Sequence, residues 1–349
     1  MGLKKIAPFI AIAAVIVLGF NLLRSQKPKV PVLRVYTWSN YLPDEVLKKF
    51  TEKTGIKVEL SYLSSNEEMF AKLRAGASGF DVIQPSDYMM RQLIRLNMLR
   101  PLEKEALPNL VHLDPAYQDP SYDPGQRFSV PFTWGTTGIA VNTEKVKVPE
   151  GKLSWKFLLN SPDPKHTSVL DDMREVFGAV LSNSGESINT KDVATLEKAR
   201  GKIIALKNNI LMFNSEPKAL LLKGELNVAH IFSCDAAQAT AANPKIKYYI
   251  PEEGGTLWTD NFAIPSTAQH VAEAHQFINF ILDPVVAAEI VSDKKLATPN
   301  LSARKLLNDL DKNDPSVYPD PKDLMRMKFL DDLGDTLPVV SRMWTEVKS

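Results

Sequence analysis

The chain has 349 residues, of which 44% are hydrophobic, and it carries a formal net charge of +1 at pH 7. At about 100–200 residues per domain, this length suggests two domains, and the hydrophobic fraction is ordinary for a globular protein with a buried core. So small a net charge gives no global attraction to nucleic acid or acidic membranes, so charge-based recognition has to be local. The single cysteine, Cys234, excludes a disulfide framework and a cysteine-based zinc site within the chain.

An apolar segment stands near the start of the chain. Lys4 and Lys5 are followed by a nearly unbroken apolar run over residues 6–23. A cleaved signal peptide has a charged start, an apolar core of about 7–15 residues and a small-x-small cleavage site, and no good site of that kind follows this run. A membrane anchor has about 20 apolar residues, which this run approaches. The length favours an anchor, and both interpretations predict export.

After an extended linker over 26–31, strands alternate with helices. The predicted elements are, in order, a strand over 33–38, a helix over 43–54, a strand over 57–63, a helix with a Ser-x-x-Glu capping box from Ser65, a strand over 80–84 and a helix over 88–97. Gly55 is the expected left-handed residue after the first helix. This spacing predicts βαβ units and a largely parallel sheet.

The later part of the chain continues the alternation. The predicted features are loops over 101–122, a β-rich stretch over 128–142, a second α/β region over 153–251, a strand over 261–265, an amphipathic helix over 272–282 and a Pro- and Asp-rich segment over 309–321. Because β character returns after the second α/β region, we expect the chain to cross between two lobes more than once.

Polar and aromatic residues follow two of the predicted strands. Trp38, Ser39 and Tyr41 come at the end of the first strand, and Ser86 and Tyr88 follow the third. In open parallel sheets, ligands bind beyond the carboxyl ends of the strands, and an aromatic face there can hold a cation. The alternatives are that Trp38 is a core aromatic and that Ser86 caps the next helix.

Acidic residues form the other candidate cluster. Asp172 and Glu175 are three residues apart and share a face of a helix, where they could hold an ammonium group, ligate a hard metal or act in acid–base chemistry. Acidic residues at a helix start are an equally physical interpretation. Asp260, which follows Trp258, and Asp235 stand in loop-like settings and could be ordinary loop acids.

The sequence lacks the motifs that are typical of several functional classes. The five histidines show no HExxH or other paired metal spacing, and no P-loop, Gly-rich dinucleotide turn or GxSxG is present in the sequence. An iron site at Tyr248 and Tyr249 is disfavoured because adjacent residues of a strand face opposite ways. We therefore expect no cofactor and no metal.

Taken together, these clusters resemble the periplasmic spermidine/putrescine-binding proteins of ABC importers, in the type II solute-binding superfamily. The stretches that carry the resemblance occur in the family's order and cover 36–41, 54–58, 65–67, 80–86, 130–135, 170–177, 224–227, 258–265, 279–284 and 298–300. The resemblance implies a two-lobed α/β periplasmic-binding-protein fold with crossover hinge strands, after the N-terminal hydrophobic segment. It places lobe 1 at 31–136 and 260–304, and lobe 2 at 137–259 and 305–349, with 1–30 as signal peptide or anchor plus linker.

The resemblance also implies the ligand contacts. They would be the aromatic Trp38, Tyr41, Trp258 and Phe232, the hydroxyl-bearing Ser39, Ser86, Tyr88 and Ser215, and the carboxylates Asp172, Glu175, Asp260 and Asp235, the last matching an acid of putrescine-preferring members. The chain departs from the family pattern at Phe232, where tryptophan is usual, at Asn40, where several members carry an acid, and at Leu296 and Leu330. These departures leave the chain-length preference open.

The predicted function is therefore an extracytoplasmic binding protein that delivers a polyamine to ABC permease subunits. The expected protein is a periplasmic monomer that binds no nucleic acid and touches the membrane only through residues 6–23. Two alternatives are a polyamine-sensing receptor component and a binding protein for another small cationic solute. An enzyme is a third, but no nucleophile with a base, metal site or flavin site is apparent in the sequence.

Overall fold

The computed structural model describes residues 31–76 and 79–349. The predicted signal peptide or anchor at 6–23 lies outside the described residues. Within the described ranges, no single helix is long and apolar enough to cross a membrane. One pair of helices, Val271–Ile281 and Pro284–Lys294, meets that test of length and composition together, with a bend of 72° between them.

The described residues form ten strands. They are β1 (Val32–Trp38), β2 (Lys57–Leu63), β3 (Val82–Ile83), β4 (Val130–Asn142), β5 (Thr167–Val169), β6 (Met212–Phe213), β7 (Val228–Phe232), β8 (Ile246–Tyr249), β9 (Thr256–Phe262) and β10 (Lys328–Phe329).

Fourteen α-helices are described between and after the strands. They are α1 (Asp44–Thr54), α2 (Asn66–Arg74), α3 (Asp87–Arg95), α4 (Trp155–Leu159), α5 (Met173–Ser182), α6 (Val193–Leu206), α7 (Pro217–Lys223), α8 (Ser233–Ala242), α9 (Val271–Ile281), α10 (Pro284–Lys294), α11 (Leu301–Leu306), α12 (Asp309–Lys312), α13 (Pro321–Leu324) and α14 (Leu337–Lys348). The α/β class predicted from the alternation is confirmed.

Local signals in the sequence account for the first elements. Gly55 ends α1 with φ at 73°, a left-handed conformation that glycine adopts without a Cβ penalty. Ser65 begins α2, and its hydroxyl accepts a hydrogen bond from the backbone N–H of Glu68. Both were expected from the sequence. The first sheet has the order β2-β1-β3, and all its strands are parallel. The residues that follow β1 and β3 therefore meet at one edge.

The second sheet has the order β10-β9-β4-β7-β5-β6, with β8 also paired to β4. The 13-residue strand β4 pairs with β9 along its first half and with β7 and β8 along its second half. An antiparallel bridge from Ile83 to Ala263 ties the end of β9 to the first sheet. The lobe boundaries expected at 136/137 and 259/260 fall inside β4 and β9, and these boundaries stay predictions.

Two large apolar cores flank this region. In one, Phe277 of α9 packs against Phe50 and Phe262, with ring centroids 5.3 and 6.0 Å apart. The other gathers Trp155 and Val176 with side chains from α6 and α14. Burial of such side chains is the main favourable contribution to folding.

One sequence expectation is confirmed and one needs correction. The parallel sheet expected from the first alternation of strands and helices is the β2-β1-β3 sheet, whereas in the second sheet β4 runs antiparallel to β7, β8 and β9. The strand expected at 261–265 is instead Thr256–Phe262, since Gly135 and neighbouring residues of β4 pair with Trp258 and the residues around it. That partner strand lies more than a hundred residues earlier in the chain, so a local pattern does not reveal it.

His230 of β7 is fully buried, and neither ring nitrogen has a hydrogen-bond partner among the described residues. Its ring meets Trp155 edge-on, with centroids 5.0 Å apart. Burial lowers the pKa of His230 from 6.5 to about 3, so the folded protein keeps this imidazole neutral while an unfolded chain protonates it below about pH 6.5.

We therefore predict that His230 makes the folded protein less stable as pH falls. Its unfavourable contribution is absent well above pH 6.5 and grows as pH falls from there toward about 3. Between pH 8 and 5 the wild-type protein should lose about 2 kcal/mol more free energy of unfolding than His230→Leu. Urea denaturation at both pH values measures this, and equal pH dependence of the two proteins would contradict it.

Candidate functional site

A cavity of about 650 Å³ lies where the carboxyl ends of strands from both sheets converge. All twelve ligand contacts expected from the sequence line the cavity, one of which, Phe232, departs from the family pattern, and so do the other departing positions Asn40, Leu296 and Leu330. The twelve are Trp38, Ser39, Tyr41, Ser86, Tyr88, Asp172, Glu175, Ser215, Phe232, Asp235, Trp258 and Asp260. The structure thus brings together residues from strand ends spread over more than two hundred positions.

Asp260 is the most enclosed carboxylate of the twelve, with 3% of its surface exposed. Tyr41 donates a hydrogen bond to its Oδ2 at 2.6 Å, and Ser86 donates to its Oδ1 at 2.5 Å. Burial raises the pKa of Asp260 to about 6, although these two hydroxyls lower it. Both partners are neutral, so among the described residues no cation is in contact with the negative charge of Asp260.

Ser86 stands at the N-terminus of α3, but its side chain makes no capping hydrogen bond there. Instead Asn66 holds it from two sides, since Asn66 Nδ2 donates to the Ser86 hydroxyl and the Ser86 N–H donates to Asn66 Oδ1, both at 3.0 Å. The capping alternative is therefore wrong, and the hydroxyl is directed at Asp260.

A second acidic group lies at α5. Asp172 caps this helix, accepting from the N–H groups of Arg174 and Glu175 at 2.9 and 3.0 Å, so the helix-start interpretation of this residue is confirmed. Glu175 is 5% exposed and accepts from the Thr256 hydroxyl at 2.6 Å. Burial, and then the charge of Asp172, raise the pKa of Glu175 to about 8.

Glu67 lies beside this acidic group, and the sequence analysis did not assign Glu67 to the site. Tyr88 donates to its carboxylate at 3.1 Å, and burial followed by the charge of Asp172 raises the pKa of Glu67 to about 7. The buried guanidinium of Arg174 is the neighbouring cation, but it lies over the Tyr88 ring and donates to backbone and amide oxygens elsewhere. Three carboxylates thus share one cation.

Asp87 is a further carboxylate among the lining residues that the sequence analysis did not single out. It is 3% exposed, its Oδ1 accepts from the Tyr88 N–H at 2.6 Å, and its Oδ2 has no partner among the described residues. Burial raises the pKa of Asp87 to about 8. Its position directly after Ser86 is a usable signal, because residues beyond a strand end face the same edge of the sheet.

Asp235 differs from the other acids. The ammonium of Lys218 lies 3.3 Å from its Oδ1, and the two side chains are each 18% exposed. Burial raises the pKa of Asp235, and the charge of Lys218 opposes this shift. Lys218 is absent from the sequence-predicted site, since nothing local in the chain indicates that it reaches this carboxylate.

Aromatic rings form the walls between the acids. Trp258 and Phe232 meet at right angles with centroids 6.0 Å apart, and Trp38 lies against the cores of the first sheet. Trp258 fits against Gly135 of β4, because a Cβ there would lie 2.3 Å from its ring. The cavity therefore combines desolvated carboxylates with π faces, a combination that binds organic cations.

Within residues 31–76 and 79–349, no three histidine, cysteine or acidic side chains are placed to hold a metal ion together.

Comparisons with known proteins agree with this chemistry. A family model described as bacterial extracellular solute-binding protein matches residues 45–318. The spermidine/putrescine-binding periplasmic protein 1 of Haemophilus influenzae is 36% identical over 318 residues, covering 90% of this chain and 88% of that protein. Its Escherichia coli counterpart is 34% identical over 350 residues, covering 99% of each.

A solved structure from Listeria monocytogenes, assigned to a spermidine/putrescine ABC transporter, superposes with a TM-score of 0.87 at 35% identity, covering 91% of this chain and 98% of that one. The two-lobed solute-binding fold expected from the sequence is thereby confirmed.

Gly135 provides a test of how tightly Trp258 is positioned. In Gly135→Ala the new methyl would also lie 2.7 Å from the Ser233 hydroxyl, so the ring or the strand has to move. We expect a loss of about 1–3 kcal/mol in the free energy of unfolding, as for other overpacked interiors. In the control Gly201→Ala, at an exposed position of α6 with nothing within 4 Å, stability should stay the same or rise by up to about 1 kcal/mol. Equal stability of Gly135→Ala and the wild type would contradict this placement.

Proposed function

The chain belongs to the bacterial extracellular solute-binding proteins, and we propose that it captures a linear polyamine such as putrescine or spermidine and delivers it to an ABC permease. The observation that supports this most is Asp260, a carboxylate in the cavity wall whose hydrogen-bond donors are both uncharged. A buried carboxylate is costly without a cation, and the ligand would supply that cation. The names of the 34–36% identical relatives point to the same ligand class.

A polyamine is a methylene rod with an ammonium group at each end. Trp38, Trp258 and Phe232 offer apolar ring surface for the rod, and each cation–π contact contributes about 0.5–2 kcal/mol when desolvated. One ammonium would lie at Asp260, held by a charge-assisted hydrogen bond. Another would lie at the acidic group of Asp172 and Glu175.

The smaller polar residues would orient the ligand. Tyr41 and Ser86 hold the Asp260 carboxylate in place, while Ser215, which lines the cavity, and Tyr88 would complete the polar contacts. The Ser39 hydroxyl donates to Glu216 at 2.9 Å, and both residues line the cavity. In the proposed cycle, the bound cation balances the buried carboxylates and permits closure of the protein around the ligand.

The cellular location, oligomeric state and membrane attachment predicted from the sequence belong to the same proposal. We infer a periplasmic protein, monomeric, held at the membrane by residues 6–23 where these are retained, that binds its ligand without chemical turnover. A sensing receptor would use the same cavity, and detection of a permease partner would separate the two. Another small cationic solute is the remaining alternative, which the departures at Asn40, Leu296 and Leu330 keep open.

We predict that Asp260→Asn weakens polyamine binding by at least about 30-fold, because loss of one partner of a buried charge pair costs about 2–5 kcal/mol. The protein from Pro31 onward would be stripped of ligand by unfolding and refolding, then titrated calorimetrically with putrescine, cadaverine, spermidine and spermine. The control Asp293→Asn removes a carboxylate whose side chain is 55% exposed and paired with Lys294, and should bind as the wild type does.

Saturable one-to-one binding to one of the four amines is the expected wild-type result. A folded wild-type protein that gives no heat with any of them would contradict the proposed function. Equal affinity of wild type and Asp260→Asn would contradict the role of this carboxylate.

A further inference from the structure

Lys218 supplies a cation to the cavity wall from inside the protein. It is the second residue of α7, and its ammonium contacts Asp235 Oδ1 at 3.3 Å and donates to Gln238 Oε1 at 2.5 Å. Gln238 is fixed in turn, because its amide donates to the carbonyl oxygen of Lys294 at 2.7 Å. The ammonium is therefore held by two partners rather than free to leave.

The side from which Lys218 approaches Asp235 decides whether the space for the ligand stays open. Asp235 and Gln238 both line the cavity, whereas Lys218 does not. The Lys218 and Asp235 side chains are each 18% exposed. The ammonium thus reaches Asp235 from the wall side, and the ligand space is left open. A ligand entering the cavity meets a carboxylate whose charge the protein has already balanced.

Asp260 provides the contrast. Its two donors are the neutral hydroxyls of Tyr41 and Ser86, so its charge is left for the ligand. Glu175 accepts from the hydroxyl of Thr256, again a neutral partner. The four carboxylates expected to contact the ligand, Asp172, Glu175, Asp235 and Asp260, are therefore unequal, and within the described residues Asp235 is the one of these four with a lysine ammonium in contact. Two other lining acids, Asp171 and Glu68, also pair with lysines, Lys348 and Lys72.

We propose that Lys218 is a specificity-determining residue whose ammonium takes the place of one ligand ammonium at Asp235. The inference rests on the proposed function. It follows that the cavity favours a polyamine with one positive charge fewer than its carboxylates would otherwise bind. Removing the lysine charge should leave Asp235 partly desolvated and unpaired, and this carboxylate would then favour a ligand with an additional ammonium.

The test uses two ligands of the same length and different charge. Spermidine and 1,8-diaminooctane have equal spacing between their terminal amines, but spermidine carries a further ammonium inside the chain. The measured quantity is the ratio of the dissociation constant of 1,8-diaminooctane to that of spermidine, obtained by calorimetry. Lys218→Met removes the charge at similar length, and Lys218→Gln keeps a donor for Gln238.

In Lys218→Met and Lys218→Gln we expect this ratio to rise about 10- to 100-fold, as expected for one additional charge-assisted hydrogen bond. Lys218→Arg, which keeps the charge, should retain the wild-type ratio. So should Lys223→Met, which removes an exposed lysine from the other end of α7. Adding Asp235→Asn to Lys218→Met should return the ratio to the wild-type value.

Circular dichroism and thermal melts test whether each variant is folded. If Lys218→Met does not fold, the ratio measured with Lys218→Gln decides whether the lysine charge determines specificity. A ratio within about threefold of wild type in the folded neutral variants would overturn the inference while leaving polyamine binding intact. Failure of the wild type and Lys223→Met to bind spermidine or 1,8-diaminooctane would overturn this inference, and failure to bind putrescine, cadaverine and spermine as well would overturn the proposed function with it.

Discussion

The desolvation of carboxylates in one cavity is the constraint on which the site depends. A carboxylate removed from water needs a cation or several hydrogen bonds to remain ionised. At Asp260 two hydroxyls provide hydrogen bonds and no charge, and at Glu175 the partner is a threonine hydroxyl. The protein therefore presents negative charge that an organic cation of the right shape can balance. At Asp235 the ammonium of Lys218 already balances the carboxylate charge. The cavity therefore presents one unbalanced negative charge fewer to the ligand.

The fold makes this arrangement possible by bringing strand ends together. The parallel β2-β1-β3 sheet sets the residues after β1 beside those after β3, which places Trp38 near Ser86. Strand β4 runs antiparallel to β9, and beyond a register shift between Pro131 and Thr133 it places Thr133 opposite Asp260 and Gly135 opposite Trp258. Strands β4 and β9 also link the two ends of the second sheet. Trp258 and Asp260 therefore lie on a strand that connects the two halves of the structure.

Much of this site could be predicted from the sequence because its residues stand in short clusters that together resemble those of a known family of binding proteins, although each cluster alone left an ordinary structural alternative open. Tyr41, Ser86 and Asp260 were all assigned, and they form one hydrogen-bonded network. Glu67 and Lys218 could not be found in the same way, since each acts through a partner distant in the chain. The hydrogen bond from Tyr88 to Glu67 and the contact of Lys218 with Asp235 exist only once the chain has folded. The same reason explains the late start assigned to β9, whose partner strand is remote.

With no cation in the cavity, these buried carboxylates are partly protonated, and they ionise when a cation binds. The pKa values of Glu175, Glu67 and Asp260 are raised to about 8, 7 and 6 by burial, while a ligand ammonium resembling that of lysine, with a pKa of about 10.4, stays protonated. Polyamine binding at pH 7 should therefore release protons, and affinity should fall as pH is lowered from 8 to 6. Calorimetry with spermidine at pH 7 in two buffers of different ionisation enthalpy measures this directly. A net proton release is the predicted result, and binding with no proton exchange, or with proton uptake, would contradict the account.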